Sequence, residues 1–107
     1  MCGILAAVSS CQKRSRLKSA LLTMRHRGPD FQDDLLVDSV YLGHNRLSIL
    51  DLNPRSNQPF SFNKYHMIYN GEVYNYKELI VEHDLQVSTK SDTEVVLSMY
   101  FKYGAKC

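Results

Sequence analysis

The chain has little of what would place it in a specialised class. Of its 107 residues, 13 are Lys or Arg and 11 are Asp or Glu, so the net charge is only +2. An excess this small gives no electrostatic case for binding nucleic acid or a membrane surface. The single basic run, Lys13-Arg14-Ser15-Arg16, is short and reads as a solvated approach to a helix. No segment has the roughly 20 apolar residues that a membrane-spanning helix needs. A signal peptide is not expected either, because the apolar stretch at residues 4–8 is too short and precedes the basic cluster instead of following it. The three cysteines, Cys2, Cys11 and Cys107, are odd in number and lack Cys-x-x-Cys spacing. They argue against a disulfide framework or a zinc site and for a reducing, cytoplasmic location. His26, His44, His66 and His83 are scattered without ligand spacing, so no metal is expected, and His26 and His44 read as structural hydrogen-bonders. Internal repeats and low-complexity tracts are also missing.

What remains is an ordinary globular composition, 44% hydrophobic and 22% charged, with length for one small domain. Residues 3–8 read as a continuous apolar strand. Over residues 16–25, Leu17, Ala20, Leu21 and Met24 recur at i, i+3, i+4 and i+7, the spacing of an amphipathic helix, which stops at Gly28-Pro29. Residues 34–50 read as a hairpin turning at Asp38-Ser39, its second strand running through Arg46 into Leu47-Ser48-Ile49-Leu50. Residues 51–63, rich in Asp, Asn, Pro and Ser, read as loop. His66-Met67-Ile68-Tyr69 is a predicted strand that turns at Asn70-Gly71 and continues through Glu72-Val73-Tyr74, with a short helix over 75–83. Ser91-Asp92-Thr93-Glu94 is a predicted capping box, Val96, Met99, Tyr100 and Tyr103 share a helix face, and Gly104 closes the helix. The class is α+β, with helices on a largely antiparallel sheet. No strand follows the last helix to pair with the earlier ones, so the domain reads as incomplete.

The second residue carries the chemical interest. In Met1-Cys2-Gly3-Ile4, loss of Met1 would leave one residue with both a thiol and a free α-amino group. A thiol is a strong nucleophile that is mostly protonated at neutral pH, and α-amino groups titrate at roughly 7.7–8.0. Nucleophile and base could then share one carbon. By position alone, a buried thiol opening a strand is the simpler reading, since free Cys is among the most buried residue types.

Three further segments decide between these readings: Arg25-His26-Arg27-Gly28-Pro29-Asp30, Gly43-His44-Asn45-Arg46-Leu47-Ser48-Ile49, and Tyr69-Asn70-Gly71-Glu72-Val73-Tyr74-Asn75, with Ser91-Asp92-Thr93-Glu94 beyond. Together with the leading Cys-Gly-Ile, in this order, they resemble the glutaminase domain of class II glutamine amidotransferases, on the side of the glutamine-dependent asparagine synthetases. The resemblance covers residues 2 to about 104. It implies an N-terminal-nucleophile hydrolase fold, an αββα sandwich of which residues 1–107 would be the first part, the synthetase domain being absent. It implies glutamine hydrolysis at Cys2, with ammonia passed to a synthetase domain that amidates aspartate using ATP and Mg²⁺. No metal or organic cofactor is expected in the glutaminase half itself. Another acceptor, such as a cell-envelope sugar or peptide carboxylate, or an inactive truncated product, are the rival readings.

Carried over residue by residue, the resemblance gives Arg46 the glutamine carboxylate, which suits a guanidinium fork. Ile49 and Leu50 line the same pocket, and Glu72 and Asp92 take the ammonium. Asn70 and the Gly71 N–H hold the oxyanion, and Arg27-Gly28-Pro29-Asp30 is a structural turn beside the site. The partners implied are glutamine and a synthetase domain, with neither nucleic acid nor membrane. Half a sheet pair would leave an apolar face uncovered, so the isolated chain is expected to be marginally stable and inactive.

Overall fold

The computed structural model describes residues 1–8 and 13–107; Cys11 lies outside the described residues. Strand β1 (Gly3–Val8) leads to helix α1 (Arg14–Thr23), then β2 (Phe31–Val37) and β3 (Val40–Arg46). Short strands β4 (Phe60–Phe62) and β5 (Tyr65–Met67) precede α2 (Tyr76–Glu82) and α3 (Asp92–Tyr103). β1, β3 and β2 form an antiparallel sheet in that order, and β4 and β5 form a separate antiparallel pair. The chain is thus a small mixed α/β domain with antiparallel sheets.

Period-two alternation sorts the three-stranded sheet into two faces. Tyr41, Gly43 and Asn45 of β3 face α1, where Leu21 is fully buried against Gly43 and Tyr41. The Asn45 amide donates to the Leu21 carbonyl at 2.7 Å, joining sheet and helix by a buried polar bond. Asp34 of β2 pairs with Arg14 at 2.7 Å and Lys18 at 3.2 Å on α1, an outer clasp worth little beside the apolar contact. The opposite face carries Ile4, Val8, Phe31, Val37 and Val40, all substantially exposed. A row of large apolar residues open to water is a surface that wants covering. Residues 3–8 are therefore a strand with one half-buried and one open face.

The long antiparallel register places the site. Gly3 pairs with Asn45, which puts Cys2, one residue earlier, beside the end of β3. β3 ends at Arg46, so the predicted continuation through Leu50 is not formed. The hairpin turn at Asp38-Ser39 is as expected, with Asp38 at φ 52°. Gly28 packs against the same corner: a Cβ there would fall on the carbonyl group of Asn45 and the carbonyl carbon of Arg46. Backbone atoms cannot swing aside as a side chain could. Gly28→Ala is expected to destabilise the fold by on the order of 3 kcal/mol, the upper range for overpacking. Thermal melting checks this, and an unchanged transition would show that the turn relaxes freely.

Three local expectations are corrected. Residues 51–63 are not all loop: β4 pairs with β5, joined at Asn63, which takes φ 53°. The β4–β5 pair rests on α3 through edge-on aromatic contacts of Phe62 and Tyr65 with Phe101 and of Tyr65 with Tyr100. Asn70-Gly71 is not a hairpin turn, because neither 68–69 nor 72–74 is strand. The flanking N–H groups have other acceptors: Tyr69 N–H donates to the Gln58 side chain at 2.5 Å and Val73 N–H to Asp92 at 2.8 Å. On α3, Val95, Leu97 and Ser98 are buried while Tyr100 and Tyr103 are exposed, so the inward face is rotated from the predicted one. Gly104, at φ 67°, closes the helix as expected.

The capping box is also rearranged. Ser91 accepts from Thr93 N–H at 3.2 Å, and the Glu94 carboxylate turns back to Ser88 and Thr89 instead of Ser91. Those two residues offer two amides and two hydroxyls, more donors than the single Ser91 N–H.

Candidate active site

Cys2, Arg46, Ile49, Leu50, Asn70, Gly71, Glu72 and Asp92 all line one cavity of about 110 Å³. They come from the start of the chain, the end of β3, the loop after it, the segment after β5 and the first turn of α3. Every candidate residue named from the sequence is therefore at one place. Met1, Gln58 and Tyr69 also line it, together with Ser56, Ser91 and Thr93. Of these, the pattern of the chain gives no mark to Ser56 or Gln58, marks Ser91 and Thr93 only as a helix start, and marks Tyr69 only by preceding Asn70.

The Cys2 sulfur is half-buried beside Leu47, accepting from its N–H at 3.4 Å. Arg27 donates from Nε to the Cys2 carbonyl at 3.1 Å, and Asp30 accepts from Ser48 N–H at 2.7 Å. Arg27-Gly28-Pro29-Asp30 thus clamps the backbone on both sides of the corner.

Arg46 is only 6% exposed, which excludes a surface arginine at a strand end. Its terminal nitrogens donate to oxygens of the following loop: Nη1 to the Asn53 carbonyl at 3.2 Å and the Asn57 side chain at 2.6 Å, Nη2 to the carbonyls of Leu50, at 3.1 Å, and Asp51. The guanidinium therefore holds the loop that carries Ile49 and Leu50 around the cavity. Asp51 extends this clasp, accepting from Lys90 N–H at 2.7 Å; that bond is the main reason its carboxyl is held down to about 2.

His44 adjoins this end of the sheet and is fully buried. Its ring nitrogens have no hydrogen-bond partner among the described residues, so the expected structural hydrogen bond is not made. The Tyr69 backbone approaches the ring without reaching hydrogen-bond geometry. Burial pushes the imidazole down to about 4, the nearby Arg46 cation adding to the shift and the Tyr69 backbone opposing it, so the ring is neutral at pH 7.

Asp92 spends one oxygen on Val73 N–H, while its other oxygen and the Asn70 side chain make no hydrogen bond among the described residues. Tyr69 lies under Gly71, its ring occupying the space a Gly71 side chain would need. Burial raises the Tyr69 phenol, and the carboxylates of Asp92 and Glu72 raise it further, so it stays protonated at neutral pH. Glu72 is exposed, and its nearby carboxylate also raises the Tyr74 phenol. The arrangement sets a thiol, a guanidinium, two carboxylates and a side-chain amide around one small cavity, a set suited to an amino acid with a reactive side-chain carbonyl.

Comparison with known proteins agrees with this chemistry. A family described as "Glutamine amidotransferase domain" matches residues 1–107. The chain belongs to that family. It is 39% identical to an asparagine synthetase [glutamine-hydrolyzing] of Zea mays, over 97% of this chain and 19% of the relative. It is 40% identical to asparagine synthetase B [glutamine-hydrolyzing] of Escherichia coli K12, over 76% of this chain and 15% of the relative. An amidase of Gibberella zeae is 38% identical over 82% of this chain and 14% of its own length. The chain thus spans about a fifth or less of the length of these relatives. No helix among the described residues is long and apolar enough to cross a membrane.

Proposed function

We propose that this chain is the glutamine-hydrolysing part of an ATP-dependent asparagine synthetase, with Cys2 as its nucleophile. One observation carries the reading: Cys2, Arg46, Asn70, Gly71, Glu72 and Asp92 share a single cavity in a chain of this family. Met1 also lines that cavity, so its removal both frees the Cys2 α-amino group and opens space before the sulfur.

The α-amino group, directly or through a water, takes the thiol proton as sulfur attacks the glutamine carboxamide. Asn70 and the Gly71 N–H donate to the tetrahedral oxyanion. The C–N bond breaks, the proton goes to the leaving nitrogen, and ammonia departs from a glutamyl thioester. Water then adds to the thioester carbonyl and releases glutamate and the thiol. Glu72 and Asp92 hold the substrate ammonium, and the Arg46 fork holds its carboxylate. A carboxylate competes for these donors because bonds to a charged acceptor are roughly twice as strong as bonds to a neutral one. Neither a metal nor an organic cofactor enters this half-reaction. The ammonia passes to a synthetase part that amidates aspartate, where ATP and Mg²⁺ belong. The remainder of the domain supplies a second sheet over the open face of β1, β2 and β3, completing an αββα sandwich. A second reading, in which the ammonia goes to another carboxylate acceptor, is kept because one relative is named an amidase and not an asparagine synthetase.

Intact-mass analysis of the natural protein, paired with a glutamate-release assay, tests this. Active preparations are expected to lack Met1. Full activity with Met1 retained would remove the α-amino group as base.

A further inference from the structure

We propose that Glu94 is a positioning residue: its buried carboxylate fixes the loop Ser88–Ser91 and thereby aims Asp92 at the substrate ammonium. This rests on the reading of the cavity as a glutamine site. Glu94 itself does not line the cavity, and nothing in the reaction requires it there. It is nevertheless 2% exposed, at the start of a helix, with no ion-pair partner among the described residues. A buried carboxylate is costly unless its oxygens are satisfied. Here they are. Ser88 N–H donates to both oxygens at 3.0 Å and the Ser88 hydroxyl to Oε1 at 3.0 Å. Thr89 donates to Oε2 from both its N–H and its hydroxyl at 2.6 Å. Burial raises the carboxyl pKa, but the bonds from Thr89 and Ser88 outweigh it and hold the group below its usual range.

The cage does not stop at Thr89. The Thr89 hydroxyl accepts from Ser91 N–H at 3.2 Å, and Lys90 N–H donates to Asp51. Every backbone N–H from Ser88 to Ser91 therefore ends on a side chain, and Asp92 is the next residue. Asp92 in turn holds Val73 N–H, beside Asn70-Gly71-Glu72. The two ends of the substrate ammonium site are thus set by one buried charge that never touches the ligand. An amide in place of Glu94 keeps the shape but offers one acceptor oxygen instead of two, and turns N–H groups towards donors.

The test compares Glu94→Gln and the milder Thr89→Val with the unsubstituted natural protein, on glutamine and on glutaramate, which is glutamine without its α-ammonium. In Glu94→Gln, kcat/KM for glutamine is expected to fall by about ten- to a hundredfold, mostly through KM, on the scale of a lost charged hydrogen bond. The value for glutaramate should change by less than about threefold, since it does not use Asp92. Thr89→Val should give the same selective loss at smaller size, and decides the matter if Glu94→Gln does not fold. Equal losses on both substrates would reduce Glu94 to a folding residue and overturn the proposal. Absence of glutamine hydrolysis in the unsubstituted protein would instead sink the glutaminase reading, and this inference with it.

Discussion

Replacing Cys2 by Ala in the natural protein is expected to lower glutamine hydrolysis by on the order of a thousandfold or more, with little loss of stability. The activity loss follows from chemistry. Alanine keeps the α-amino group, the strand start and the pocket, but removes the only atom at that position able to form an acyl intermediate. The stability expectation follows from the contacts. The sulfur is half-buried, and its polar contacts among the described residues are with Leu47 alone, the N–H at 3.4 Å and the carbonyl at 3.8 Å. Thiol-to-amide contacts this long contribute little. Arg27 grips the Cys2 carbonyl, which the substitution leaves in place. Glutamate release and a melting curve on the same preparation separate the two effects. A variant that still turned over glutamine within tenfold of the parent would mean that some other group attacks the amide.

For Asn70→Ala the expected result is a fall of about 10²–10³ in kcat with KM for glutamine nearly unchanged, the size and signature of a lost oxyanion donor. The structure makes this substitution unusually clean. The Asn70 side chain makes no hydrogen bond among the described residues, and its backbone is secured from both sides. Gln58 takes Tyr69 N–H and Asp92 takes Val73 N–H, so the segment keeps its course without the amide. A rise in KM with intact kcat would assign Asn70 to ground-state binding and leave the oxyanion to the Gly71 N–H alone. Steady-state kinetics distinguishes these outcomes directly.

The elements legible in the sequence are those set by local pattern. A helix forms around Leu21, although it runs from Arg14 to Thr23, ends before Gly28-Pro29 and buries only Leu21 of the expected stripe; Asp38-Ser39 turns the β2–β3 hairpin, and Gly104 ends α3 with positive φ. What escaped is decided by partners far along the chain. Phe60-Ser61-Phe62 looked like part of a Pro- and Asn-rich loop because its strand character comes from pairing with Tyr65–Met67 and from Phe101 beneath. Asn70-Gly71 carries the sequence mark of a hairpin, yet its neighbouring amides find side-chain acceptors 11 and 19 residues away. Ser91, three residues before Glu94, gives the sequence the pattern of a capping box; Ser88 and Thr89 supply better donors. No spacing rule joins Cys2, Arg46 and Asp92, so only the family resemblance links them in the sequence. Their meeting at one cavity is a product of antiparallel register and of the α3 N-terminus lying against the loop after β3.

That register also acts as a ruler. Each residue of β1 advances the chain by about 3.3 Å and flips side chains to the other face. With Gly3 locked opposite Asn45, Cys2, the proposed nucleophile, is held one residue from the sheet. One amino acid more or fewer there would carry the sulfur out of reach of the pocket or turn it away. In the proposed mechanism the extreme N-terminus, ordinarily the most forgiving stretch of a protein for insertions, has no room for one.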